Sequence, residues 1–271
     1  MANLKMGRSA ESTQQISSRD QASQETVPVC QFLDWDSTFF GRRIARATSN
    51  RLDAKTIKEI LKWSRNNQID CLYFLADAED DATIKLAEEN RFHFVDVRVT
   101  FERQLKDSSS EFHPFFTGDI RPSRPKDIPE LRDIARTGYR DTRFYYDSHF
   151  PAQLSDELYE TWIEKSCKGY ADVVLVAEVE GEVVGYISCH LHDSFHGQIG
   201  LVGVHSNWRG NRIGQALVNR SVQWFSEQGV NHIDVVTQGR NIQAQRLYEK
   251  CGFLTCELQI WYHHWFLSQG A

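Results

Sequence analysis

The chain has 271 residues, 41% of them apolar, and a formal charge of −6 at pH 7, enough to bury a substantial core in one large domain or two modest ones. That acidic balance excludes nucleic acid and an anionic membrane surface as the main partner, since either demands a concentrated basic excess. The six cysteines are scattered without CxxC pairs and read as reduced thiols of a cytoplasmic protein.

Residues 1–26 are rich in Ser, Gln and charge and lack the apolar run of a signal peptide or membrane anchor, so they read as a disordered tail. No later stretch has the roughly 18 consecutive apolar residues of a transmembrane helix. Residues 27–105 hold a helix ending near Trp63, a strand at CLYFLA, a second helix and an alternating strand through Val97, Val99 and Phe101. Residues 106–119, KDSSSEFHPFFTGD, have the Ser run and flanking charge of a linker. In residues 120–271 a short strand stops at Pro122, a helix starts after Asp127 with Pro129 in its first turn, and Leu158, Trp162 and Ile163 mark another helix. VVLVAEVEGEVVGYISCHL is two strands joined by a tight turn at Glu180-Gly181. The strand IGLVGV then leads into RGNRIGQAL and a helix from about Ile213 to Gln228, followed by the strand HIDVVT, a helix and the terminal strand WYHHWF. Cys189, His190, His192 and His196 crowd together in CHLHDSFHG, but alternation at a strand end accounts for them. His263 and His264 point to opposite faces of their strand, so no metal is expected.

One offset organises the chain. Trp63 and Trp224, Leu86 and Leu247, and Phe92 and Phe253 are each 161 positions apart, and Ile69, Leu72, Phe74, Val97, Val99 and Phe101 meet Val230, Ile233, Val235, Leu258, Ile260 and Tyr262 at the same spacing. The chain therefore reads as two copies of one helix-strand-helix-strand unit. Tyr248 falls opposite Ala87, Asn241 opposite Asp80, and residues 209–214 opposite TSNRLD, which has neither glycine nor paired arginines. The first copy is expected to keep a core, lose the chemistry and shape an acceptor site.

At residues 209–214 a strand, a loop and a helix start would present unpaired backbone N–H groups and a positive dipole end to an anion. Gly210 and Gly214 would let a diphosphate approach closely, and Arg209 and Arg212 add charge. A positive φ at Arg212 would cost about 1 kcal/mol, which a phosphate contact could offset. Taken alone, the loop is also compatible with an ordinary solvated turn.

VGVHSNWRGNRIGQAL followed by NIQAQRLYEKCGF resembles the two hallmark motifs of the GNAT superfamily of N-acetyltransferases, the [QR]xxGx[GA] acetyl-CoA loop and the NxxAxxLYxxxGF helix. The resemblance covers residues 120–271 and departs from the family at Arg212, where a glycine usually stands. It implies an α/β (α+β) fold with a central mixed, splayed β-sheet flanked by helices, preceded here by a degenerate half-domain of the same kind. It also implies that acetyl-CoA is held by Val202, Gly203 and Val204 on the splayed strand, by Arg209, Gly210, Asn211, Arg212, Ile213 and Gly214, and by Asn241 and Ala244. Tyr248 is then the general acid for the departing thiolate, because a phenol of pKa about 10 stays protonated at neutral pH. Direct acetyl transfer of this kind needs no metal.

Residues 33–47 and 139–151 are dense in aromatics, arginines and carboxylates, which suits a sugar nucleotide. The candidate acceptor contacts are Trp35, Asp36, Phe39, Phe40, Arg140, Arg143, Tyr145 and Asp147, with Phe144 and Tyr146 as further stacking rings. With the two-domain layout, these stretches resemble a branch of the family that acetylates an amino-sugar nucleotide of the TDP-4-amino-4,6-dideoxyhexose type in surface-polysaccharide synthesis. Asp36, Asp141 and Asp147 are candidate bases, although a water relay could serve an amine of pKa near about 8. A peptide amino terminus as acceptor and a non-catalytic acetyl-CoA sensor stand as alternatives, and a homodimer is left open.

Overall fold

The computed structural model describes residues 28–105 and 116–266. The expected tail, most of the expected linker and residues 267–271 lie outside them. The first half holds β1 (Cys30–Phe32), α1 (Asp34–Phe40), β2 (Ile44–Ala47), α2 (Ala54–Asn66), β3 (Cys71–Asp77), α3 (Asp81–Glu89) and β4 (His93–Gln104). The second half opens with β5 (Asp119–Pro122), α4 (Ile128–Gly138), α5 (Arg143–Tyr146), α6 (Ala152–Lys165), β6 (Val173–Val179) and β7 (Glu182–Leu191). It continues through β8 (His196–Val204), α7 (Ile213–Glu227), β9 (His232–Gln238), α8 (Ile242–Lys250) and β10 (Leu254–Trp265).

Local chemistry sets most of these boundaries. Asp53 starts α2 by accepting the amides of Lys55 and Thr56 at 2.9 and 2.6 Å, and Asp80 caps α3 in the same way. Glu180 and Gly181 take positive φ values of 52° and 87°, the turn that matches the twist of a two-residue hairpin between β6 and β7.

The described residues form one mixed ten-stranded sheet, ordered β1-β2-β3-β10-β4-β9-β8-β7-β6-β5. The two copies therefore do not own separate sheets: each sends its last strand across to the other, so that β10 pairs with β3 and β4 pairs with β9. The offset of 161 reappears as symmetry. Arg98 and Gln259, equivalent by that offset, face each other in the β4–β10 ladder, and the Arg98 guanidinium donates to the Gln259 side-chain oxygen. Arg98 also lies opposite Gln238 in β9, while Gln259 lies opposite Asp77 in β3. A pseudo-two-fold axis normal to the sheet runs through this central pair.

Alternation along the strands divides the cores between the two faces. On one face α7 and α8 cover Val99, Phe101, Ile199, Ile233 and Val235, and α2 and α3 cover Leu72, Phe74 and Tyr262. On the other, α1, α4, α5 and α6 pack over Ile44, Tyr73, Tyr186, Leu201 and Trp261. Any function located between the strands is therefore reached from two differently furnished sides.

Candidate functional site

The parallel pair β8–β9 is hydrogen-bonded only from His196 opposite His232 to Ile199 opposite Val235. Immediately beyond, the β7–β8 register slips, with Cys189 opposite Ile199 but Ile187 opposite Val202. The surplus residue in β8 is a bulge, and a bulge bends its strand. Gly200 permits it, since a Cβ there would lie 2.6 Å from both His190 Nε2 and Ser188 Oγ. Past the bulge Val202–Val204 stays paired with β7 and Val236–Gln238 with β4. The sheet is thus split in its interior while both lips remain anchored.

The chain leaving β8 forms the loop read as an anion cradle. Gly210 has φ +85° and Arg212 φ 60°, so Arg212 does adopt the left-handed backbone that a glycine would take without strain. No side chain caps the first turn of α7, which leaves its leading amides for a ligand or water. Arg209 turns its Nε to the Val204 carbonyl at 3.3 Å, and Asn211 donates to the Trp208 carbonyl at 3.2 Å. Ile213 is buried, whereas Gly214 faces α8 closely, with a Cβ there 3.2 Å from Leu247. Asn241 caps α8 by accepting the Ala244 amide at 3.0 Å.

Three phenols cluster at the Val202 lip of the split, and a fourth lies across the sheet from them. Tyr139, at the end of α4, donates to the Val202 carbonyl at 2.9 Å, its hydroxyl lies 3.1 Å from that of Tyr186, and its ring stacks on Tyr159 at 4.3 Å. Tyr248 comes from the opposite face, packed against Phe101 and Phe253, and lies within electrostatic reach of Tyr139. Burial raises the Tyr248 pKa, so its proton is held throughout the neutral range. Burial likewise pushes Tyr159 up to about 12.

On the α5–α6 face a narrow cleft opens over the ends of β4 and β9, lined by Asp96, Arg98, Arg143, Tyr159, Trp162 and Trp261 among others. The Arg143 guanidinium lies 4.3 Å from the centres of both the Trp261 and Phe144 rings. It is 6% exposed, and its Nε is buried without a hydrogen-bond partner among the described residues. Its charge is balanced in part by the nearby carboxylates of Asp36 and Asp96, while the unpartnered Nε–H leaves a donor that a ligand could satisfy.

The other acceptor candidates divide. Trp35 and Phe39 stack at 5.0 Å beside Trp162, with Lys165 Nζ 4.0 Å from the Trp35 ring centre, at one rim of the α6 face. Asp36 is buried near Arg143, its Oδ1 without a hydrogen-bond partner among the described residues, and burial raises its pKa. Phe40 and Phe144 are core residues, stacked on each other at 5.4 Å and closed off by Phe150. Arg140 is exposed and paired with Asp156 at 2.8 Å, and Tyr145 donates to the same carboxylate.

Asp147 requires a correction. Its carboxylate accepts from His263 at 2.6 Å, Trp265 at 2.8 Å and both the ring and amide of His149. These donors depress its pKa against the effect of burial, which ties β10 to the α5–α6 connection and leaves neither a free base nor a substrate contact.

Sequence reading passed over Asp96, Arg98, Tyr139, Tyr159, Tyr186, Trp162 and Trp261 as site residues. One signal was available: in HFVDVRVT a lone carboxylate interrupts an apolar strand, and such a carboxylate is either paired or functional. Asp96 is 2% exposed. Its Oδ1 accepts from the Val97 amide at 2.9 Å and from Arg240 at 3.2 Å, and the Arg143 backbone amide also donates to the carboxylate.

The profile of the acetyltransferase (GNAT) family matches residues 130–253. The spore coat polysaccharide biosynthesis protein SpsD of Bacillus subtilis is 29% identical over 152 residues, 56% of this chain and 52% of that protein, so the chain spans about half its length. The acetyltransferase ECA0875 of Pectobacterium atrosepticum is 32% identical over 95 residues, 35% of this chain and 67% of that one. Among solved structures, a GCN5-related N-acetyltransferase from Sphaerobacter thermophilus superposes with a TM-score of 0.63 at 15% identity, covering 87% of this chain and 76% of that one.

Proposed function

Because the chain belongs to the GNAT family of acetyltransferases, we propose that it moves an acetyl group from acetyl-CoA to the amine of an amino-sugar nucleotide of the TDP-4-amino-4,6-dideoxyhexose type. The observation that carries this reading is the interior split between β8 and β9 facing a cleft whose walls are aromatic and which holds a buried cation, Arg143, with its Nε lacking a hydrogen-bond partner among the described residues. Acetyl-CoA supplies an activated thioester. Its pantetheine arm would lie along the open edge of Val202–Val204 as an added strand does. Its diphosphate would sit on the uncapped amides of α7, with Arg209 and Arg212 adding charge. Gly210 keeps that approach clear of side chains, Gly214 lets α8 pack closely against α7, and Asn241 and Ala244 hold the start of α8 beside it.

In this reading Tyr248 protonates the departing sulfur. A phenol raised by burial still hydrogen-bonds a developing thiolate strongly, and a site screened from water strengthens that bond. On the acceptor side Trp162 and Trp261 offer faces for a sugar or base, and Arg143 is suited to a phosphate oxygen. The first copy would help to form the acceptor site and would not bind acetyl-CoA itself. The Asp77 amide donates to the Asn50 carbonyl at 2.9 Å, Leu52 is buried, and Arg51 bridges Asp77 and Asp80, so the region equivalent to the split is filled by its own loop. SpsD is by its name a polysaccharide biosynthesis protein, and this likeness favours a sugar acceptor over a peptide.

The test is CoA release by the full chain against amino-sugar nucleotides and free peptide amino termini. Turnover with the amino-sugar nucleotides alone is expected, whereas turnover with peptides alone would overturn the assignment of substrate, and no turnover with any amine would overturn the activity.

A further inference from the structure

Resting on the reading above, we propose that Asp96 of β4 is the proton acceptor for the attacking amine, a role served from the opposite face of the sheet to Tyr248. Its position is the first reason. β4 is the strand next to β9, and the Gly239 amide, just past β9, donates to the Val97 carbonyl at 2.7 Å. Asp96 thus stands at the carboxyl end of β9, one strand spacing of about 5 Å from the lip of the split. It lines the cleft together with Thr237, Gln238, Tyr159 and Arg143.

Its surroundings are the second reason. The groups that face it are Arg240, from the connection before α8, Arg143 from α5, Tyr159 from α6 and its β4 neighbour Arg98, while Trp261 of β10 gives it an apolar wall. Despite the ion pair with Arg240, burial pushes this carboxyl up to about 6. An amine that binds as an ammonium enters a cleft already holding the charges of Arg98 and Arg143, which lower its pKa from about 8. Transfer from such an ammonium to such a carboxylate is close to balanced, the condition under which a base is most effective. Asp36 lies outside the cleft lining, and Asp147 is committed elsewhere, so neither competes for this role.

The step balances as follows. One of the three ammonium protons passes to Asp96 and leaves to water when product departs. The nitrogen lone pair then forms the C–N bond as the C–S bond breaks, and the sulfur takes a proton from Tyr248. The nitrogen loses a second proton, which restores the phenol, and the third stays on the amide.

The experiment compares the full-length wild type with Asp96→Asn, Asp96→Glu and Arg240→Gln, using acetyl-CoA and TDP-4-amino-4,6-dideoxygalactose from pH 5 to 9. Wild-type kcat should fall on the acid side with a limb near pH 6. Asp96→Asn should lower kcat at pH 7 by about 100-fold, leave the acetyl-CoA KM within twofold and abolish that limb. Asp96→Glu should recover most of the loss, and Arg240→Gln should move the limb to higher pH by removing the neighbouring cation. An Asp96→Asn enzyme with wild-type kcat and an intact limb overturns the assignment. Should that variant fail to fold, an acid limb unmoved in Arg240→Gln overturns it equally. If the wild type releases no CoA, the functional reading fails first and the inference with it; if it turns over and these profiles do not shift, only the inference fails.

Discussion

Gly203→Ala perturbs the split without touching a polar group. A Cβ at Gly203 would stand 2.7 Å from Tyr186 Cε1 and 3.0 Å from its hydroxyl. Tyr186 is fully buried, so the ring can yield only by displacing its neighbours, and such overpacking costs about 1–3 kcal/mol. Alanine recovers roughly 0.5–1 kcal/mol through its better strand propensity, leaving a net loss of about 1–2 kcal/mol. The displacement also pulls on Tyr139, which shares a hydrogen bond with Tyr186 and holds the Val202 carbonyl. Losing the latter bond removes about 1 kcal/mol from one lip of the split, which corresponds to a several-fold to tenfold rise in the acetyl-CoA KM. Gly197→Ala is the control, because its Cβ would meet Phe225 at 2.4 Å in the paired part of the same strand. Urea unfolding should show both variants destabilised, while steady-state kinetics on the folded fraction should show a raised KM only for Gly203→Ala. Equal KM effects from the two substitutions, or none from Gly203→Ala, would refute the link between Tyr186, Tyr139 and the cofactor lip.

Three further outcomes are expected. Tyr248→Phe should lower kcat by at least about 100-fold with little change in KM; wild-type kcat in that variant would remove the proton donor. Asp147→Asn leaves buried donors of His263 and Trp265 poorly matched and should cost about 3 kcal/mol in urea unfolding, and a loss under about 1 kcal/mol would show the clamp to be dispensable. Burial lowers His263 from 6.5 to about 4, so it folds neutral. Its contribution is complete above pH 6.5 and shrinks as pH falls toward 4, a loss of about 3 kcal/mol, and a urea midpoint that stays constant from pH 7 to 5 would contradict it.

The parts legible in the sequence were those governed by local rules. The hairpin at Glu180-Gly181, the stop at Pro122 and the helix beginning at Ile213 follow from turn and cap chemistry within a few residues. The offset of 161 survived because apolar alternation is preserved wherever a strand keeps the same buried face. The exchange of β4 and β10 was not legible, because either pairing buries the same side chains and alternation does not state which neighbour a strand chooses. The acceptor side was the least readable. Phe40 and Phe144 have the composition of a stacking site, yet they fill the space between helices, while Trp261 faces the cleft from a strand whose pattern announces only a core and Asp96 is marked only as a lone carboxylate in an apolar strand. Asp147 looked like one carboxylate among several until its partners, more than a hundred positions away, came within reach.

The exchanged strands also determine what happens if the chain is cut. A fragment ending at residue 105 would lack β10 between β3 and β4, and one beginning at residue 116 would lack β4 between β9 and β10. Each piece would carry a slot one ribbon wide, bordered by bare amides and carbonyls that invite any passing edge. Expressed apart, the pieces should clump; mixed together, they should plug one another's slots and regain a shared melting transition. A gene encoding only one such copy could satisfy both slots by pairing two identical chains about a dyad, which makes the present protein the covalent counterpart of an interlocked pair.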